Sequence, residues 1–261
     1  MTSHIIPDAD FHIDIARGNK NEFSVNHKFG RNALVGTSFV LISNGGVYQT
    51  PQVSGATQLR IKAGNANDTA NGSGARTVFI QGLSASGALI SETLTTNGAS
   101  NGTASVNSYL RLFRTYVLTS GTYGSTAAGS HSADIVIENA AGGTTWATID
   151  STSFPKGQGE IAAYSVPLGY QAWIKNIFIH VESSKPTDVL LFQRQNILQT
   201  SAPYSPVRLV YSAIGITNEL MITRQIPLGP YAALTEFGFM GKTASGTAAV
   251  SVNFDILLAA V

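Results

Sequence analysis

The chain has no cysteine and very little charge. Without cysteine there are no disulfides and no thiolate metal sites, so durability must come from packing or from association with other chains. Asp, Glu, Lys and Arg make up 12% of the residues, about half of the roughly 25% usual for soluble domains. The 16 basic residues leave a net charge of +1. They form no block or stripe, so the electrostatic footprint of a nucleic-acid binder is missing. No apolar run approaches the ~18 residues of a membrane helix, and no membrane partner is expected. The start, Met1-Thr-Ser-His-Ile-Ile-Pro7, lacks the basic and apolar regions of a signal peptide, which predicts a soluble protein made in a cytoplasm.

Reactive motifs are also missing. The five histidines, His4, His12, His27, His131 and His180, show no metal-ligand spacing. Gly241-Lys-Thr243 ends like a phosphate-binding loop, but Glu236 stands where that loop needs glycine. Asp8, Asp10 and Asp14 lack the spacing of a calcium loop. Among Glu92, Glu138, Glu160, Glu182, Glu219 and Glu236 nothing singles out a glycosidase pair. No catalytic residue, metal ligand or cofactor is assigned, and the chain reads as a non-enzyme.

What remains is a background of Gly, Ser, Thr, Ala and Asn broken by short β-branched and aromatic runs. Gln58–Lys62 alternates with period two. Arg76–Gln81 and Leu89–Leu94 flank a glycine turn and read as a hairpin. Tyr109–Leu118 is the longest strand candidate, and Asp134–Glu138 and Trp146–Ile149 follow. Beyond the linker candidate Phe154–Gly159 come further strands at Tyr170–Val181, Val189–Gln193, Val207–Tyr211, Glu219–Ile226 and Ala248–Leu258. Pro167-Leu-Gly169 and Pro227-Leu-Gly229 both suit a type II turn between strands. Strands at this spacing predict an all-β protein of two antiparallel sandwiches, residues 38–153 and 154–261, the second jelly-roll-like. Residues 1–37 hold much of the charge and no sustained period, so they read as an extended arm that needs a partner surface.

Three segments carry a family resemblance: Asn67-Asp-Thr-Ala-Asn-Gly-Ser-Gly-Ala-Arg-Thr-Val78, Glu92-Thr-Leu-Thr-Thr-Asn-Gly98, and Asn107-Ser-Tyr-Leu-Arg-Leu-Phe-Arg114. Together they resemble a pattern common in virion structural proteins of tailed bacteriophages. Val25–Asn32 is similar to the start of several of these, and Tyr164-Ser-Val-Pro-Leu-Gly169 to their Y-T-V-P-A-G turn, with Leu168 in place of Ala. The resemblance covers most of the chain. It implies a particle component assembled in the host cytoplasm: a capsid decoration or cement protein, commonly a homotrimer, bound to the major capsid protein or other virion proteins. A tail, collar or fibre component touching host glycan is the alternative, and a carbohydrate-binding sandwich a third reading. With the arm as a staple over a neighbour, the candidate assembly contacts are Phe11, Phe23, His27, Lys28, Phe29, Arg31, Arg111 and Arg114.

Overall fold

A computed structural model describes residues 11–44, 55–122, 130–151 and 157–261, without the side chains of His12 and Gln225. Asp8, Asp10, His4, Gly46 and Phe154–Lys156 lie outside the described residues.

The elements in chain order begin with α1 (Phe11–Ala16), β1 (Phe23–Val35) and β2 (Val40–Leu41). Then come β3 (Thr57–Ile61), β4 (Ala75–Ser84), β5 (Leu89–Thr95), β6 (Ser108–Ser120), β7 (Ile135–Asn139) and β8 (Thr145–Ile149). The last group is β9 (Ala163–Ser165), β10 (Tyr170–Val181), β11 (Thr187–Arg194), β12 (Arg208–Ile216), β13 (Glu219–Tyr231), β14 (Glu236–Thr243) and β15 (Ala248–Ala260).

Alternation makes these strands. In β15, Val250, Val252, Phe254, Ile256 and Leu258 are buried, while Ser251, Asn253 and Asp255 face the other way. β10 does the same with Ile177, Ile179 and Val181. Two sheets, β1-β15-β10-β13 and β12-β11-β14-β2, close over one core, with β9 also paired to β14. Set β3 to β9 aside and eight strands remain. Their sheets then run first-eighth-third-sixth and second-seventh-fourth-fifth, which is the order of a jelly roll.

The other six strands form one sheet, β5-β4-β6-β3-β7-β8, inserted between the second and third jelly-roll strands. Strands are spaced about 4.8 Å apart, so a flat sheet would hold β6 and β8 well apart. Instead β8 returns to lie against β6, and the curled sheet wraps its own core of Leu59, Val78, Ile80, Leu112, Ile137 and Ile149.

The all-β, antiparallel expectation holds. Residues 23–35 are not an arm, and the expected first sandwich is one curled sheet. β1 pairs along its length with β15, from Phe23↔Ala259 to Val35↔Ala248, and β2 pairs with β14. The jelly roll therefore takes its first two strands from residues assigned to the arm and the first sandwich. The two chain crossings between domains run side by side: Ala162 N donates to the Ile42 carbonyl at 3.0 Å and Asn44 N to that of Glu160 at 2.9 Å. Gly157 and Gly159 of the expected linker are hydrogen-bonded to β6. Pro167-Leu-Gly169 makes the expected turn, with Gly169 at φ 82° and Tyr170 N bonded to the Pro167 carbonyl. Pro227-Leu-Gly229 instead lies inside β13.

Candidate assembly surface

The eight candidate contact residues divide by which side of their strand they occupy. Lys28 faces inward on β1 and is 6% exposed. Its Nζ donates to the Phe113 carbonyl on β6 and lies 5.9 Å from the centre of that ring. Burial, with the nearby Arg114 charge second, lowers its pKa to about 7. Arg111 is also buried: its Nε donates to Glu236 Oε2 at 2.6 Å and its Nη1 to the Leu110 carbonyl at 2.9 Å. The register of β11 on β14 sets Arg194 directly opposite Glu236. Neither Lys28 nor Arg111 is on an outer surface, so the expectation that they contact a neighbour is corrected. Both join the inserted domain to the jelly roll, because β6 carries its residues 111–114 across the junction. Phe113 and Leu83 sit in the jelly-roll core, and Ile161 and Ala163 in the inserted core.

The other candidates are at the surface and mostly engaged with this chain. Arg114 Nη2 donates to the His27 carbonyl at 3.1 Å. Arg31 makes a two-pronged pair with Glu182, at 2.8 and 2.9 Å. Phe11 on α1 meets Phe23 edge to face, with ring centres 5.3 Å apart. His27 is exposed, its Nδ1 2.6 Å from Asp255 Oδ1, and Asp255 Oδ2 accepts from Asn176 at 2.7 Å.

His27, Asp255 and Asn176 lie on the outer face of the β1-β15-β10-β13 sheet. With Ala16, Val25, Lys175 and Leu257 they line a groove of about 390 Å³. Two cross-strand rows border it: Val25, Leu257 and Trp173, then Phe29, Asn253, Phe178 and Met221. Trp173 points outward and is half-buried, whereas Trp146 is 4% exposed.

At the far side of the jelly roll both sheets end, one at β12 and the other at β13. Large apolar side chains stand exposed there: Leu209, Ile214, Met221 and Ile226. None was singled out from sequence. The available signal was an apolar run in β13 interrupted by Pro227 and Pro230, since proline in a sheet belongs on an edge.

The Asn67–Val78 segment is a loop that runs into β4 at Ala75 and is organised by Asp68. Asp68 is buried, and its carboxylate accepts from the backbone of Ala75 at 2.8 Å, Ser132 at 3.0 Å and Ala133 at 3.2 Å. A methyl group on Gly74 would strike that carboxylate. Among the described residues no three His, Asp or Glu side chains gather as a metal site would need. No helix among them is long and apolar enough to cross a membrane.

No protein-family model and no curated protein matches the chain. Among solved structures it is similar to a chain of the infectious bursal disease virus Gx strain. The two are 9% identical with a TM-score of 0.25, over 91% of this chain and 72% of that one. It is also similar to the infectious bursal disease virus VP2 subviral particle, 9% identical with a TM-score of 0.20, over 92% and 77%. These weak neighbours come from virus particles, and superpositions this loose transfer no function.

Proposed function

We propose that this chain is a non-enzymatic structural component of a tailed-bacteriophage particle, a decoration or cement protein that braces the capsid. The observation that carries this reading is the open flank of the jelly roll. Two sheets end together there with large apolar side chains in water, and an edge of that kind is a liability unless something covers it. The resemblance of the Asn67–Val78, Glu92–Gly98 and Asn107–Arg114 segments supplies the kind of assembly. The partners in this reading are the major capsid protein and further copies of the chain, as a trimer or another symmetric oligomer. Mass-spectrometric copy number on purified particles tests it. A shell protein is expected in on the order of hundreds of copies, as a component covering most of the shell must be. A number matching a single vertex would remove the cement role.

The groove beneath α1 favours a second reading, a tail or fibre protein that touches host glycan. Trp173 and Phe178 offer flat apolar faces beside the planar polar groups of Asn176 and Asp255, the mixture that sugar rings require. Screening against a glycan array, with Trp173→Ala as control, checks it. Binding abolished by that change favours the tail, and no binding by the parent chain removes this reading.

A further inference from the structure

The edge strand β13 is not regular. Its step from Thr223 to Leu228 lies opposite the much shorter step from Asn176 to Ile174 on β10, so the intervening residues are pushed out as a bulge. Bulges on edge strands re-aim side chains, and this one raises Ile226 to 81% exposure, the highest of any large apolar residue on the flank. Arg224 Nε donates to the Ile226 carbonyl at 3.4 Å across the base of the bulge, and Pro227 stiffens its far side. Beside this knob, between β12 and β13, is a hollow of about 300 Å³ lined by Gln193, Leu209, Val210, Leu228, Pro230 and Tyr231, with backbone polar groups among them. A knob and a hollow of mixed polar and apolar lining thus sit next to each other on the same flank.

We propose that this flank binds a second copy of the chain about a two-fold axis, with Ile226 of each copy seated in the β12–β13 hollow of the other. The proposal rests on the assembly reading above and names its first contact. Knob and hollow on one surface are what an isologous interface needs, because each residue pair then occurs twice. Leu209 and Ile226, each more than 60% exposed, are the apolar side chains that a second copy would cover first, within the ~800 Å² per partner that a stable pair buries. The charges agree with the same geometry. Exposed Arg208 opens β12, and exposed Glu219 stands at its other end beyond Ile216. An antiparallel copy therefore brings the Arg208 of one chain to the Glu219 end of the other.

Sedimentation or light scattering of the full chain at about 10 μM, where a micromolar Kd leaves most chains paired, is expected to give a dimer. Ile226→Lys is expected to weaken pairing at least about thirtyfold, the effect of losing a central anchor, and to yield a folded monomer whose melting, unlike the parent's, does not depend on concentration. Leu34→Lys, on an equally exposed residue of β1 at 74% exposure, should remain dimeric. The chain has no cysteine, so Leu209→Cys/Ile226→Cys reports the contact directly as a covalent dimer under mild oxidation. A parent chain that stays monomeric overturns the proposal, as does an oligomer of any size that survives Ile226→Lys. Failure of the particle reading would look different: the chain would be missing from purified particles whether or not it pairs in solution.

Discussion

Lys28 occupies a position where a cation is hard to keep. Its ammonium has the Phe113 carbonyl as acceptor, the Phe113 ring beneath it and the Arg114 charge nearby. An unfolded lysine titrates near 10.5 and this one at about 7. Between those values the unfolded chain holds more protons than the folded one, so stability must rise with pH across that window and level off below it. Buried Tyr109, Tyr164 and Tyr231 act on the alkaline side. Burial raises the pKa of each, so stability is lost above their unfolded value near 10. Lys28→Met keeps the volume and removes the group whose charged form burial penalises, so the variant is expected to be the more stable one at acid pH. Thermal melts of the two proteins between about pH 6 and pH 10 check this. The variant should melt higher at the acid end and lose the rise that the parent shows above pH 7. Equal slopes would mean that Lys28 keeps its ordinary pKa in the folded protein, its charge held by water.

At the scale of an element, β1 shows how a core strand can read as an arm. Its outward positions are Val25, His27, Phe29 and Arg31, and its inward ones Asn26, Lys28, Gly30 and Asn32. The pattern is inverted because the inward side faces backbone. The two domain crossings and β6 run there, and Asn32 Nδ2 donates to the Leu41 carbonyl at 3.0 Å. Gly30 is set by the same approach, since a methyl group would overlap the Ala162 nitrogen and the Ile42 carbonyl oxygen. Gly30→Ala is expected to cost about 3 kcal/mol or more, the upper range of overpacking. Gly36→Ala, with open space around it, should stay within about 0.5 kcal/mol of the parent. Urea denaturation of both variants measures this, and a mild Gly30→Ala would show that β1 is loosely held after all. The strands with ordinary alternation, β3 to β8, β10 and β15, were legible within a few residues of their ends. The pairing of β1 with β15 was not, because nothing local encodes a partner more than two hundred residues away. α1 was missed because six residues are too few to establish a helical period. At the candidate site residue type alone did not give the side of the strand, and for Lys28 and Arg111 the side decides between a surface contact and a joint inside the molecule.

For the whole molecule, the question is whether two sheet systems behave as one body. Their cores are stitched together: Tyr164 on β9 packs at a tilt between Phe113 of the inserted domain and Phe237 of the jelly roll, with ring centres 4.6 and 5.9 Å away. Arg111 and Glu236 add a buried ion pair across the same joint. Removing one partner strands the other charge in a dry interior, which costs ~3–5 kcal/mol, whereas replacing both by apolar groups costs far less. Calorimetry on the parent should therefore show a single transition. Glu236→Gln and Arg111→Met alone should each lower Tm by roughly 10 °C for a chain of this size and split the transition as the domains come apart. Arg111→Met/Glu236→Leu should recover most of that loss, giving a coupling energy well above the ~0.5 kcal/mol at which independent sites add. If the single effects simply add, or if the parent already melts in two steps, the joint is a contact between independent domains and the inserted sheet is free to move on the jelly roll. A rigid joint suits a brace, because strain applied at the flank beyond β12 and β13 then reaches the inserted domain without being absorbed between them.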